Sequence, residues 1–202
     1  VQTCALPISP DDVKRQWDEI DILNQALADE GESFRVFKGI ESDILPDGSL
    51  DYEDDLLAGF DFVIGSVHAQ IDMDPERMIK RYLHALDHPA LRMIGHPTGR
   101  LLLKREGSAV DLNPIIEKAA ARQIVIEINA NPHRLDLDGR YGRKARQEGL
   151  LSSINPDAHS VEALSPHIPH GTAIARKAGF TAQEILNTRS LDSFQSWIDA
   201  GA

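Results

Sequence analysis

Residues 9–31 place apolar side chains three or four positions apart, which predicts an amphipathic helix. Ser9 can cap this helix, Pro10 suits its first position, and Gly31 follows its end. The apolar stripe consists of Val13, Trp17, Ile20 and the segment 23–27.

Beyond this helix, short β-branched runs alternate with helical patterns. Such alternation indicates βα units and a mostly parallel sheet or barrel. The predicted strands are 34–42, 60–67, 91–95, 124–129 and 151–155. The predicted helices are 51–59, 74–89, 111–123 and 138–149, and the chain after 160 is expected to be mostly helical.

Length and composition predict one globular domain of 202 residues. The net charge of −11 argues against a broad nucleic-acid surface, although a local basic patch remains compatible with it. A single cysteine, Cys4, excludes an internal disulfide and fits a reducing, cytoplasmic compartment. No apolar run predicts a membrane span. Residues 1–8 break the pattern and are interpreted as a ragged or foreign leader.

Each predicted strand ends near a residue type that binds divalent metals. In parallel α/β folds the carboxyl ends of the strands share one edge, so we expect these side chains to converge there. In "INPDAHS", an extended backbone would aim the side chains of residues 157 and 159 the same way. The candidate ligands are Glu41, His68, His96, Asp157 and His159, with Glu127 and Asn129 as possible supporting residues.

Each candidate also has an ordinary structural interpretation. Asp157 or Ser160 could cap the following helix, and Glu41 could form a salt bridge. His68 could be a hydrogen-bonded core histidine, and His96 could belong to a simple turn. Glu127 could position a neighbouring ligand or a basic side chain.

Five segments in this order resemble the PHP (polymerase and histidinol phosphatase) domain, most closely that of family X DNA polymerases. They are "GIESDILPDGSLDY", "FVIGSVH", "IGHPTGRLLLKRE", "VIEINANPHRLDL" and "INPDAHS". The resemblance covers residues 9–202, and it is most specific in "GHPTGRLLL" and "EINANPHRLDL".

The resemblance implies a distorted (β/α)7 barrel that binds up to three divalent ions (Mn, Zn or Mg) at the carboxyl ends of its strands. Glu41, His68, His96, Asp157 and His159 fall on metal-ligand positions, with Glu41 bridging two ions. Glu41, His68 and His159 would be catalytic. The implied activity is phosphoester hydrolysis at DNA 3′ ends, as exonuclease or 3′-phosphatase, beside a polymerase domain upstream in the same chain.

Two departures from the family pattern change the expectations. Pro156 stands where the family usually has Thr, and we expect Asp157 and His159 to remain aimed at the site. The family's initial His-x-His motif, a following Asp and a "TDH" segment do not occur in the chain. The chain is therefore expected to be a partial PHP domain without the first strands, with marginal stability and at best weak activity.

The charges near the predicted site are a possible contact for phosphate or DNA, or else solvated loop charges. They are Arg100, Lys104, Arg105 and Arg134. Three functions remain open from the sequence: a nuclease-type PHP domain, a phosphatase of the histidinol-phosphate kind, and a non-catalytic structural or DNA-positioning module.

Overall fold

A computed structural model describes residues 8–200 as alternating strands and helices. The leader predicted at 1–8 lies, except for Ile8, outside the described residues. The strands are β1 (Gly39–Asp43), β2 (Phe62–Ser66), β3 (Leu91–Ile94), β4 (Val125–Asn129) and β5 (Ser152–Asn155). The α-helices are α1 (Pro10–Asp29), α2 (Asp54–Leu57), α3 (Pro75–Ala85), α4 (Asn113–Ala121), α5 (Gly139–Gln147), α6 (Ile168–Ala178) and α7 (Leu191–Asp199). Short 3₁₀ helices at Val161–Ala163, Ala182–Glu184 and Leu186–Thr188 complete the carboxyl-terminal part.

The five strands form one parallel sheet in the order β1-β2-β3-β4-β5. Strands that are neighbours in sequence are therefore also neighbours in the sheet. Within residues 8–200, β1 pairs only with β2 and β5 pairs with β4, so the sheet is open and a closed barrel is not observed. The parallel arrangement brings all five carboxyl ends to one edge, as the alternation of strands and helices predicts.

Helices α3 to α6 pack side by side against one face of the sheet. The main core lies between these helices and the sheet, and its members are apolar and almost fully buried. A smaller cluster on Met93, Val125 and Leu186 packs against aromatic residues, including Phe194 and Trp197 of α7. The strands are therefore held from both sides, which fixes the edge where the candidate ligands emerge. Over the described range, no helix combines the length and apolar character needed to cross a membrane.

The first predicted strand is shorter than its pattern indicates. Residues 34–38 precede the strand, and the side-chain amide of Asn24 accepts from Val36 N–H and donates to Val36 C=O, both at 2.9 Å. This contact satisfies the backbone groups that a strand neighbour would otherwise bind. The prediction that the strand starts at 34 is therefore wrong.

Helix α1 confirms the predicted cap, because the Ser9 side chain accepts from Asp12 N–H. Its apolar stripe, however, buries only Val13, and Leu23 remains 46% exposed. Trp17 makes a tertiary contact, an edge-to-face pair with Phe60 at 4.9 Å between ring centroids. An amphipathic pattern thus predicted the helix correctly but overestimated how much of it the sheet covers.

Candidate metal centre

Three of the predicted ligands meet at the carboxyl edge of the sheet. Glu41 lies within β1, while His68 and His96 lie two residues beyond the ends of β2 and β3. Glu41 Oε1 lies 3.1 Å from His96 Nε2 and 3.5 Å from His68 Nε2. One ligand atom from each residue falls within 4.8 Å of the others, which is close enough for one ion to contact all three.

Asp43 completes this group, and the sequence interpretation missed it. Its Oδ1 makes a close hydrogen-bonded contact with His68 Nδ1. Glu41 and Asp43 are two positions apart on an extended strand, so both side chains point to the same side. That spacing was the sequence signal that could have identified Asp43.

The electrostatics of the group favour charged side chains. Hydrogen bonds to Asp43 and then to Glu41 raise the pKa of His68 to about 10. Burial raises the pKa of Glu41, but hydrogen bonds from His68 and His96 more than offset it, so the pKa of this carboxyl lies far below its usual range. Without a metal, His68 therefore carries the positive charge that the two carboxylates attract.

The residues present fit a divalent ion. Two imidazoles and one carboxylate form a donor set that suits Zn²⁺ or Mn²⁺. Asp43 holds His68 through Nδ1 and leaves Nε2 facing Glu41, which is the arrangement that carboxylate–histidine pairs adopt beside metals. His96 is 3% exposed, and its Nε2 also faces Glu41.

A layer of buried polar residues supports His96 from β4 and β5. Glu127 Oε2 accepts a hydrogen bond of 2.7 Å from the backbone N–H of His96. The side-chain amides of Asn129 and Asn155 donate to the same carboxylate at 3.2 and 2.9 Å. Burial raises the pKa of Glu127, while the charge of His96 and these hydrogen bonds oppose the rise. In this structure Glu127 therefore contacts the backbone of His96. Asn129 contacts Glu127 and the side chain of Asp157. Asn155 is a further supporting residue that the sequence interpretation missed.

The turn that follows His96 is fixed by Asp136. Its Oδ2 accepts from Thr98 N–H, Thr98 Oγ1 and Gly99 N–H at 2.8 to 3.0 Å. Tyr82 adds a hydrogen bond of 2.8 Å from its hydroxyl to the Pro97 carbonyl. Asp136 is fully buried, and burial raises its pKa. This clamp holds the segment between β3 and the exposed loop beyond it.

Asp157 and His159 also lie at this end of the sheet, but the backbone that carries them differs from the one predicted. Asp157 has a φ of +48°, so its backbone is left-handed and the extended geometry inferred for this segment is wrong. Its Oδ2 pairs with Arg134 Nε at 2.9 Å and also accepts from Asn129 at 3.1 Å. The side chain of His159 is 83% exposed, and its Nδ1 lies 3.6 Å from Asp157 Oδ1. Ser160 makes no side-chain cap, so the capping interpretation of this segment is not observed.

A cavity of about 920 Å³ joins these residues at the edge of the sheet. Four predicted ligands line it, namely Glu41, His96, Asp157 and His159. His68 lines a separate cavity of about 460 Å³, together with Arg105. The predicted ligands therefore lie at one end of the sheet, with Glu41, His68 and His96 in mutual contact.

The four predicted basic residues have different surroundings. Arg134 is buried against Asp157, and the Arg100 guanidinium donates to the carbonyl oxygens of Arg134 and Leu135. Arg105 is exposed and donates to the Gly99 carbonyl at 2.6 Å, and Lys104 is exposed. In this structure Arg100 and Arg134 thus hold the loops together, while Lys104 and Arg105 face the solvent.

Comparison with known proteins found two groups of relatives for this chain. No family model matches the chain. The chain is 41% identical over 186 residues to the DNA polymerase/3′-5′ exonuclease PolX of Bacillus subtilis. The aligned region covers 92% of this chain and 32% of that protein. The match confirms the resemblance to family X polymerases.

Probable phosphatases form a second group of relatives. One from a Thermoanaerobacter species is 26% identical over 174 residues, covering 81% of this chain and 68% of that protein. Another from Syntrophotalea carbinolica is 24% identical over 168 residues, covering 79% of this chain and 67% of that protein. The chain thus spans about a third of the PolX protein and about two thirds of these phosphatases.

Proposed function

We propose that this chain is a metal-dependent phosphoesterase domain whose metal centre is built on Glu41, His68 and His96. The observation that carries the proposal is the convergence of these three side chains, with ligand atoms within 4.8 Å of one another. Relatives named as an exonuclease and as phosphatases support hydrolysis of a phosphoester bond as the reaction.

Each residue has a role that follows from its contacts. Glu41, His68 and His96 would hold the ion, and an ion at this position supplies Lewis-acid activation of the phosphoryl group and of water. Asp43 orients His68, while Glu127 fixes the backbone at His96. These contacts preorganise the ligands before substrate binds.

Asp157 and His159 are proposed as further ligands or as contacts to the scissile phosphate. Both line the cavity that also contains Glu41 and His96, which supports this role. The imidazole of His159 is 83% exposed and lines this cavity, where it can contact a bound phosphate.

The proposed substrate is the 3′ end of a DNA strand, with a polymerase domain in the same protein. The PolX relative, at 41% identity, supports this class of substrate over others. The alternative substrate is a small-molecule phosphomonoester. It is favoured by coverage, because the chain spans 68% of the length of a probable phosphatase but 32% of the length of PolX. The two differ in substrate size and not in the chemistry of the centre.

We also propose that the sheet is part of a distorted (β/α)7 barrel. Strand order that follows the sequence, with α3 to α6 packed on one face, is typical of barrels, whereas doubly wound sheets reverse their order. Further strands pairing with β1 and β5 would close such a barrel.

Hydrolysis assays with two substrates test the proposed function. The protein is loaded with Mn²⁺ and given a 3′-phosphorylated oligonucleotide or histidinol phosphate, and phosphate release is measured. We expect release from the oligonucleotide with a kcat/KM at least about tenfold higher, and loss of release in His96→Ala. Equal or higher kcat/KM for histidinol phosphate would favour the alternative, and release that persists in His96→Ala would contradict the metal centre.

A further inference from the structure

A short hairpin carries the most exposed large apolar side chain among residues 8–200. Leu101 and Arg105 form an antiparallel bridge, and Leu103 lies at the tip of the turn between them. The side chain of Leu103 is completely exposed, at 107% of its reference area. Its φ is +64°, so the backbone at this position is left-handed.

Both properties of Leu103 are unfavourable within the chain itself. A branched residue at positive φ is strained by roughly 1–2 kcal/mol, and glycine or asparagine would avoid most of that strain. A leucine without apolar neighbours also forgoes the burial that usually stabilises it. A strained, exposed apolar tip is the kind of outlier from which a binding role can be inferred.

The hairpin is held beside the turn that follows His96. Leu102 N–H donates to the His133 carbonyl at 2.6 Å, and the segment begins directly after the turn that Asp136 clamps. Arg105 lines the 460 Å³ cavity that His68 also lines. Leu103 is two residues from Arg105, which places its Cα within about 7.6 Å of the Arg105 Cα. The tip is therefore a supported projection on the rim of the site.

The charge beside the tip indicates the kind of partner. Lys104 and Arg105 follow Leu103 directly and are exposed, in a chain whose net charge is −11. Local positive charge on an acidic protein attracts a polyanion at this place in particular. An apolar side chain followed by two cations suits DNA, because the cations bind phosphates while the apolar group inserts between bases.

We propose that Leu103 is a wedge that separates the terminal base pair of double-stranded DNA. Lys104 and Arg105 bind the backbone beside it, and the freed 3′ strand passes to the centre at Glu41, His68 and His96. This inference rests on the proposed function and adds that paired ends, and not only single strands, are substrates.

Leu103→Ala tests the wedge through two matched duplexes. One has a paired 3′-terminal base and the other has a mismatch there, which removes the need for separation. We expect Leu103→Ala to lower the ratio of the paired to the mismatched hydrolysis rate by about tenfold. Ile22→Ala, which shortens an apolar side chain that is 71% exposed on α1, serves as the control and should leave the ratio unchanged. An unchanged ratio in Leu103→Ala would overturn the wedge.

A second measurement is independent of hydrolysis. 2-Aminopurine at the 3′-terminal pair is monitored in EDTA, where its fluorescence rises when the base unstacks. We expect a rise on binding to the unaltered protein and a clearly smaller rise with Leu103→Ala. If these fluorescence changes are seen but the unaltered protein does not hydrolyse DNA ends, the wedge is supported and the proposed function is contradicted. No rise with either protein, or a lowered melting temperature of Leu103→Ala without DNA, would overturn the wedge, and the latter would indicate a contact with another part of the protein.

Discussion

Glu127 in β4 accepts a 2.7 Å hydrogen bond from the backbone N–H of His96, which lies just beyond β3. This hydrogen bond connects the candidate metal ligand His96, which follows β3, to the neighbouring strand β4. Glu127 is 5% exposed, and its carboxylate also accepts hydrogen bonds from the side-chain amides of Asn129 and Asn155. These contacts restrict the position of the Glu127 side chain. Glu127 is therefore a positioning residue for His96.

Glu127→Gln should weaken metal binding without removing any ligand. A glutamine side chain presents an NH₂ group where Asn129, Asn155 or His96 now donates, so one donor would face another donor. We expect the Kd for Mn²⁺ to rise about 10- to 100-fold in isothermal titration. Glu117→Gln, an exposed change on α4 in an ion pair with Lys144, should keep the original Kd. An equal Kd in both variants would mean that Glu127 does not position His96.

Asp136→Asn should destabilise the turn after His96. The carboxylate oxygen Oδ2 now accepts three hydrogen bonds from Thr98 and Gly99 in a fully buried site. We expect a loss of about 1–3 kcal/mol in the free energy of unfolding, measured by urea denaturation. Asp18→Asn on the exposed surface of α1 is the control. A loss in Asp136→Asn no greater than in the control would refute the clamp.

Arg134→Lys tests whether the Arg134–Asp157 pair is structural. Both side chains are largely buried, and lysine cannot reproduce the Nε to Oδ2 contact of 2.9 Å. We expect the unfolding free energy to fall by about 1–3 kcal/mol. Arg140→Lys, whose side chain is 73% exposed and 3.9 Å from Asp138, should change stability by less than about 0.5 kcal/mol. Unaltered stability in Arg134→Lys would leave Arg134 available for the phosphate contact predicted from the sequence.

Metal binding should release a proton from His68. Asp43 and Glu41 raise the pKa of His68 to about 10, above its ordinary value of 6.5. The folded metal-free protein therefore keeps this proton at pH values between 6.5 and about 10. An ion must displace the proton, and its affinity should therefore increase as pH rises through this window. Titrations at pH 7.5 in buffers of different ionisation enthalpy should give about one proton released per ion. A heat that is independent of buffer would show that His68 is already neutral or does not bind the ion.

The sequence predicted the fold elements well because buried strands and capped helices have strong local patterns. It predicted the strand-end position of His68 and His96 for the same reason, since parallel strands share one carboxyl edge. It did not predict that Asn24 binds the backbone of Val36 and so delays β1. That contact joins residues 12 positions apart through a side-chain amide, which no hydrophobic period encodes.

The geometry of Asp157 shows a similar limit. A spacing of two predicts a shared direction only if the backbone is extended, and Asp157 is left-handed. Its direction depends instead on Arg134 and Asn129, which belong to β4 and the loop after it. Asp43 was missed although its spacing from Glu41 on β1 does obey the extended rule. Local patterns thus identified residue types, and tertiary partners determined where those residues point.

Binding of Mn²⁺ to the metal-stripped protein tests the central claim most directly. The free-ion signal is followed by electron paramagnetic resonance in the unaltered protein, in Glu41→Gln and in Glu53→Gln, an exposed control before α2. We expect at least one bound ion per chain in the unaltered protein and in the control, and a Kd about 100-fold higher or more in Glu41→Gln. Equal Mn²⁺ binding by Glu41→Gln and the unaltered protein would contradict a metal centre at Glu41, His68 and His96.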